Sequence, residues 1–219
     1  MTELFHLGVK SSMVPTSFVL IDSDLTSDAS SFVGWHPLST RREFINGLID
    51  GVLICTGAYG SPAAVIALEE LARAGARQCV TLSRCHCALC RSGNYHRPVI
   101  ATGAVRDERI SNDYAPRDFP AVPSHELSSS LRNLLPGANS GLVRTVNVPP
   151  GSTTQDSSDA LPIAAVDLVT SAILVASSAS GISSASVVLS ARADNPELVM
   201  TLEGAIKALR NMERATANK

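Results

Sequence analysis

Aromatic and charged residues are scarce in this chain. Phe, Trp and Tyr make up 4% of its 219 residues, and Asp, Glu, Lys and Arg 17%. Eighteen basic residues against 20 acidic ones leave a formal charge of −2, with no basic run. Neither a footprint for a phosphodiester backbone nor a base-stacking platform is visible, which argues against nucleic-acid binding. No stretch approaches about 20 apolar residues, so no membrane span is expected. The most apolar region, Leu161 to Ala176, is interrupted by Asp167, Thr170 and Ser171 and reads as a buried helix. The start, MTELFHLGVKSS, has no apolar segment behind a basic residue and does not read as a secretory leader. The five cysteines are an odd number, three of them between Cys85 and Cys90. Such spacing is a poor disulfide framework and points to a reducing, cytoplasmic compartment.

What is present is enough apolar material for one sizeable core. Hydrophobic residues reach 45%, and the length suits a single domain over residues 1–219. Ser17 to Ile21 and Gly51 to Cys55 are short, branched and apolar, as buried strands are. After the turn Thr56 to Gly60, a helix is expected with Ser61 as cap, Pro62 in its first turn and Gly75 at its end. Val65, Leu68, Leu71 and Ala72 share a face of it. Cys79 to Ser83 and Pro98 to Ala104 read as the next strands of a βαβ unit. A long helix is expected from Ile163 to Ala179, then a strand from Ala185 to Ala191. The last helix opens with Asn195 and Pro196 and carries a stripe of Leu198, Leu202, Ala205, Ile206 and Leu209. The polar stretch of about 149–161 reads as a surface loop. The expected class is α/β, one mixed and largely parallel sheet flanked by helices.

Open α/β sheets bind ligands beyond the carboxyl ends of their strands. The glycine-rich turn TGAYGSP, Thr56 to Pro62, offers free N–H groups at a helix start there, with Gly57 and Gly60 allowing close approach. Such glycines are often only geometric, so more is needed.

More comes from a resemblance. Leu4-Phe5-His6-Leu7-Gly8 is similar to the FHLG opening of uridine phosphorylases, and Thr40 to Phe44 (TRREF) to their HREF segment. Thr56 to Ala76 resembles their TGxGxPSxxIAxEEL stretch. Ala104-Val105-Arg106 and Tyr114 to Val122 resemble the AxVR and FAPxEFPAV blocks. Ala165 to Ile173 is similar to the segment that carries the family's ribose-binding Glu-Met-Glu. The chain thus resembles the nucleoside phosphorylase family, in its uridine-phosphorylase branch, over nearly its whole length. The resemblance implies a central mixed sheet and a dimer-based assembly. It also implies inorganic phosphate as co-substrate where the chemistry is intact, with no cofactor.

Several substrate-binding positions depart from the family. The phosphate loop Gly-Asp-Pro-x-Arg aligns with Asp22 to Ser27, so Ser23 and Ser27 stand where its anion-binding residues are expected and Asp22 and Asp24 bring negative charge. The second phosphate arginine aligns with Leu82, with Arg84 two residues further on. Asp167, Leu168 and Val169 stand for Glu-Met-Glu, so the second glutamate, which accepts from the ribose hydroxyls, is a valine. The base-binding segment is shortened, with Gln155 its remnant. The general-acid aspartate of purine-cleaving relatives falls near Ser190-Ala191. Kept are His6 and Arg42, which in this family reach across the dimer interface to the neighbour's ribose 5′-hydroxyl and phosphate.

The expected function follows. The chain is a nucleoside phosphorylase-like protein, impaired alone, that pairs with itself or with an intact paralogue whose site it completes. The alternatives are an active pyrimidine-nucleoside phosphorylase or hydrolase rebuilt around Arg84, Arg42 and Asp167, or a non-catalytic nucleoside binder. Cys85, Cys87 and Cys90 form a weak zinc candidate, outweighed by the commoner role of buried cysteines as small hydrophobes. No resident metal is therefore expected. Asp107-Glu108-Arg109 and Arg117-Asp118 read as a solvated surface. Trp35 reads as a packing residue, and Tyr59 stands where the family has a smaller residue.

Overall fold

The structure, a computed structural model, describes residues 2–23, 25, 31–86, 97–149, 162–190, 193 and 195–217. Among them, one sheet holds β1 (Ser17–Ile21), β2 (His36–Arg41), β3 (Phe44–Ile49), β4 (Val52–Thr56), β5 (Gln78–Arg84), β6 (Val99–Asp107), β7 (Asn139–Val146), β8 (Ile163–Asp167) and β9 (Ser183–Leu189). The helices are α1 (Gly60–Arg73), α2 (His125–Leu134), α3 (Thr170–Ala179) and α4 (Asn195–Ala217). Strand order is β2-β3-β4-β1-β5-β9-β6-β7-β8, and five of the eight pairings are parallel. The expected α/β class and mixed sheet are observed.

Period-two alternation in the central strands feeds two cores. From β1, Phe18 and Leu20 join Leu68 and Leu71 of α1 and Ile173 of α3. Val19 and Ile21 point the other way, to Leu127 and Leu131 of α2 and to Leu198, Leu202 and Ile206 of α4. The stripe expected on α4 is the one it buries. Burying each such Leu or Ile contributes about 1.5–3 kcal/mol, and this two-sided packing holds the central strands in place. Trp35 packs as expected, its ring so close over Gly47 that a Cβ there would lie 2.6 Å from it.

Two expectations are corrected. Ile163 to Ala179 is not one helix: residues 163–167 pair with β7 as β8, and the helix starts at Thr170. A short apolar run does not distinguish strand from helix by period. The boundary is made by Asp167, whose carboxylate accepts from the Thr170 N–H at 3.0 Å, as residues before a helix start do. Ser61 does not cap α1 either, because its hydroxyl donates to the Leu168 carbonyl at 2.6 Å. That bond ties the start of α1 to the turn between β8 and α3.

The second half of the sheet curls back on the first. His86 N donates to the Val166 carbonyl at 2.7 Å, and Ser83 Oγ to Asp167 at 2.7 Å, which places β8 beside β5. Small residues such as Ala101, Val143, Ala165 and Val188 fill the narrow interior. The carboxyl ends of β1, β4, β5 and β9 share one edge with the start of β6, and the curl brings the carboxyl end of β8 beside the end of β5 there. That edge is where a ligand is expected.

Candidate functional site

At the end of β4, Gly57 has φ +97°, and a Cβ there would lie 1.9 Å from the Glu43 carbonyl oxygen. Its bare backbone lets the hairpin between β2 and β3 rest against the turn before α1. Gly57→Ala is expected to destabilise the fold by on the order of 3 kcal/mol, through positive φ and the clash together, as urea unfolding would measure. Gly60, φ +70°, has no neighbour that would approach a Cβ closer than 3.9 Å, so its role is conformational. Tyr59 is half-exposed rather than folded inward.

The hairpin tip is Arg42-Glu43, between the paired residues Arg41 and Phe44. Arg42 holds φ +54°, a backbone state costly for a side-chain-bearing residue. Its guanidinium lies 5.1 Å from the centre of the exposed Phe5 ring, and that of Arg41 5.6 Å, within cation–π range. Arg41 is further tied to Glu3. The His6 ring meets Phe5 edge-on at 4.9 Å. His6 and Arg42 are therefore gathered around one exposed aromatic ring.

The buried Glu70 of α1 fixes His6 from below. It accepts from His6 N at 2.9 Å, Leu7 N at 3.1 Å and His6 Nδ1 at 2.8 Å. A carboxylate only accepts, so Nδ1 carries the proton and Nε2 remains for another partner. Burial pushes the Glu70 carboxyl up, but the hydrogen bonds from His6 and Leu7 outweigh it and leave it below the ordinary value of 4.5. A depressed carboxylate contributes stability that is complete above its unfolded value and is lost as pH falls through the folded one. Glu70→Gln is therefore expected to be less stable than wild type at neutral pH, by about 1–3 kcal/mol. The gap should narrow below about pH 4.5, which unfolding measured against pH would reveal.

Asp167, Leu168 and Val169, which align with the family's Glu-Met-Glu, are buried. Asp167 is fully buried, and its carboxylate accepts from Ser83 Oγ at 2.7 Å, Thr145 Oγ1 at 2.8 Å and Thr170 Oγ1 at 2.6 Å, besides the Thr170 N–H. Thr170 Oγ1 also meets Ser186 Oγ at 2.7 Å, and Ser171 Oγ donates to Glu108 at 2.8 Å. Asp167 is the centre of an internal network, not an open acceptor. Leu168 and Val169 are buried against α1 and α3.

Of the described positions aligned with the family's phosphate site, Leu82 is apolar, whereas Ser23 and Arg84 are polar. Leu82 is fully buried in the core shared with α2 and α4. Ser23 is half-buried after the buried Asp22, and Arg84 is half-buried and engaged at the end of β5. A cavity of about 10 Å³ opens beside Cys85, Arg97, Val188 and Ser190, room for about one water. Ser190, near which the general-acid position falls, is buried. Ser27, Gln155, Cys87, Cys90 and the 150–161 part of the polar loop lie outside the described residues.

The cysteines depart from expectation. Cys85 is disulfide-bonded, so its sulfur is not a thiolate ligand. Among the described residues no group of His, Cys, Asp and Glu could hold a metal ion. Cys55 and Cys79 are buried thiols, Cys79 pushed up to about 12 by desolvation and Cys55 further still, so neither is a nucleophile. The Asp107–Arg117 surface is also not simply solvated. Glu108 is buried, accepting from Ser111 N at 2.9 Å as well as from Ser171. Residue patterns missed Phe5 and Glu70 as supports for Arg42 and His6. The one available signal was a glutamate set beside Leu71 on an otherwise apolar helix face.

No family model matches the chain. Its sequence is 29% identical over 141 residues to the uridine phosphorylase of Treponema pallidum, covering 59% of this chain and 52% of that protein. It is 34% identical over 98 residues to the guanosine phosphorylase of Halorubrum lacusprofundi, covering 43% and 40%. The matched stretch spans about half the length of these curated relatives. The whole fold overlays a purine nucleoside phosphorylase from Toxoplasma gondii with TM-score 0.81, at 16% identity, over 98% of both chains. The fold is that of the nucleoside phosphorylases. In sequence the chain is similar to uridine and guanosine phosphorylases over 59% and 43% of its length.

Proposed function

We propose that this chain is a subunit of a nucleoside phosphorylase-like oligomer that does little chemistry in its own pocket and completes the site of a neighbour. The observation that carries this reading is the contrast between the two groups of positions. Val169 and Leu82 are buried apolar residues where a ribose carboxylate and a phosphate arginine are expected, and Asp167 is consumed internally. His6 and Arg42 stand around the exposed Phe5 ring, on the outside of their own subunit. In a dimer, Arg42 would meet the neighbour's phosphate and His6 Nε2 its ribose 5′-hydroxyl, as the family resemblance implies. The neighbour is a second copy or an intact paralogue.

A second reading, an active phosphorylase with a rebuilt site, has one observation in its favour. Arg84 ends β5 and Arg97 precedes β6, so two guanidinium groups stand at the ligand edge. A cytoplasmic location agrees with the free thiols Cys55 and Cys79, and the Cys85 disulfide speaks against it. No helix among the described residues is long and apolar enough to cross a membrane.

A panel of nucleosides, with and without phosphate, tests the reading on the chain alone and after co-expression with an intact paralogue. Weak or no cleavage alone, and activity in a mixed oligomer, is the expected result. Ordinary phosphate-dependent rates from the chain alone would decide for the second reading.

A further inference from the structure

A cleft of about 460 Å³ lies where β6 and β7 end, and its buried Glu108 is joined through Ser171 to the start of α3. That volume suits a small ligand. Its walls are polar, and its charges are not balanced. Arg106 is held by carbonyls and neutral side chains: it donates to the carbonyls of Ala115, Pro116 and Phe119, to Ser111 Oγ and to Asn112 Oδ1. Among the described residues its charge meets no carboxylate. Arg109 and Arg117 line the same cleft, are exposed, and form no ion pair among the described residues.

The two carboxylates in the lining are already committed. Asp107 pairs with Arg144, and both oxygens of Glu108 face buried donors, Ser171 Oγ and Ser111 N. Asp113 and Asp118, near in the chain, do not pair with these arginines among the described residues. The cleft therefore keeps positive charge in a chain whose net charge is −2, with Asn112 and Asn147 adding amide donors. The Arg106 bonds hold the 111–119 segment, and with it Arg117, to the end of β6. Two unpaired planar guanidinium groups beside amide donors suit a phosphoryl group, which takes several charge-assisted bonds at once.

We propose that this cleft binds a small phosphate-bearing molecule through Arg109 and Arg117, not through His6, Arg42 or Arg84. Binding would leave the proposed role of His6 and Arg42 untouched, and it does not depend on it.

The test is calorimetric titration at low salt of the full chain with inorganic phosphate, pyrophosphate, ribose 5-phosphate and uridine 5′-monophosphate, with uridine as the unphosphorylated control. Saturable binding of at least one phosphate compound is expected, and the comparison tells free phosphate from a phosphate ester. The double variant Arg109→Ala/Arg117→Ala should weaken it by about tenfold or more, with unchanged thermal unfolding because both residues are exposed. Arg132→Ala, which removes an exposed guanidinium on α2 outside the cleft, should bind as wild type does. No binding by wild type, binding unaffected by the double variant, an equal loss through Arg132, or equal binding of uridine would each overturn the proposal.

Discussion

Asp167→Ala is expected to lower the unfolding free energy by about 3–5 kcal/mol, the largest stability change at any of the candidate site positions. The carboxylate accepts four hydrogen bonds, from Ser83, Thr145 and both the N–H and hydroxyl of Thr170, with no exposure to water. Removing it strands buried donors on β5, β7 and α3 at once, and each unsatisfied group costs about 1–3 kcal/mol. Part is recovered, because Thr170 Oγ1 can turn wholly to Ser186. In a chain of this size the melting temperature should fall by on the order of 10 °C. Asp167→Asn keeps the volume but loses acceptor capacity, and should cost about half as much. A residue poised for substrate would behave oppositely, its removal abolishing binding and leaving stability nearly unchanged. Urea unfolding of the two variants distinguishes these outcomes.

The second large effect is catalytic. Under the proposed reading, Val169, Ser27 and Leu82 stand where a ribose carboxylate and two phosphate arginines would be. Charge-assisted bonds contribute about 1.5–3 kcal/mol each, so their loss removes on the order of 5–9 kcal/mol of transition-state binding if roughly additive. At about 1.4 kcal/mol per tenfold, phosphorolysis by the chain alone should be slower by roughly three to six orders of magnitude. Initial rates with uridine and phosphate measure this directly. Val169→Glu alone should not restore the rate, because residue 169 is buried in the α1–α3 core and a new carboxylate there would be uncompensated.

The scaffold was legible in the sequence where local chemistry was unambiguous. The apolar runs at β1 and β4 and the Asn195-Pro196 helix start each fixed one element, because burial on both faces or a terminus signal left one reading. The Ile163–Ala179 stretch misled for the opposite reason, since alanine and valine suit a narrow strand interior as well as a helix. Substitutions at Leu82 and Val169 could be seen by alignment, yet the commitment of Asp167 could not. It depends on Ser83 and Thr145, distant in sequence and adjacent only because the sheet curls. The same holds for Glu70 under His6, separated by 64 positions, and for the burial of Glu108, whose partner Ser171 lies 63 positions away.

The most direct measurement of the central claim is complementation. An intact paralogue is stripped of its own cross-interface arginine, so that its homodimer is inactive, and is co-expressed with this chain. If the chain works through its neighbour, the mixed oligomer regains phosphorolysis, and Arg42→Ala in this chain reduces it by about a hundredfold, the loss of one charge-assisted contact to phosphate. A mixed oligomer that stays inactive, or one whose activity is the same with Arg42→Ala, would contradict the account.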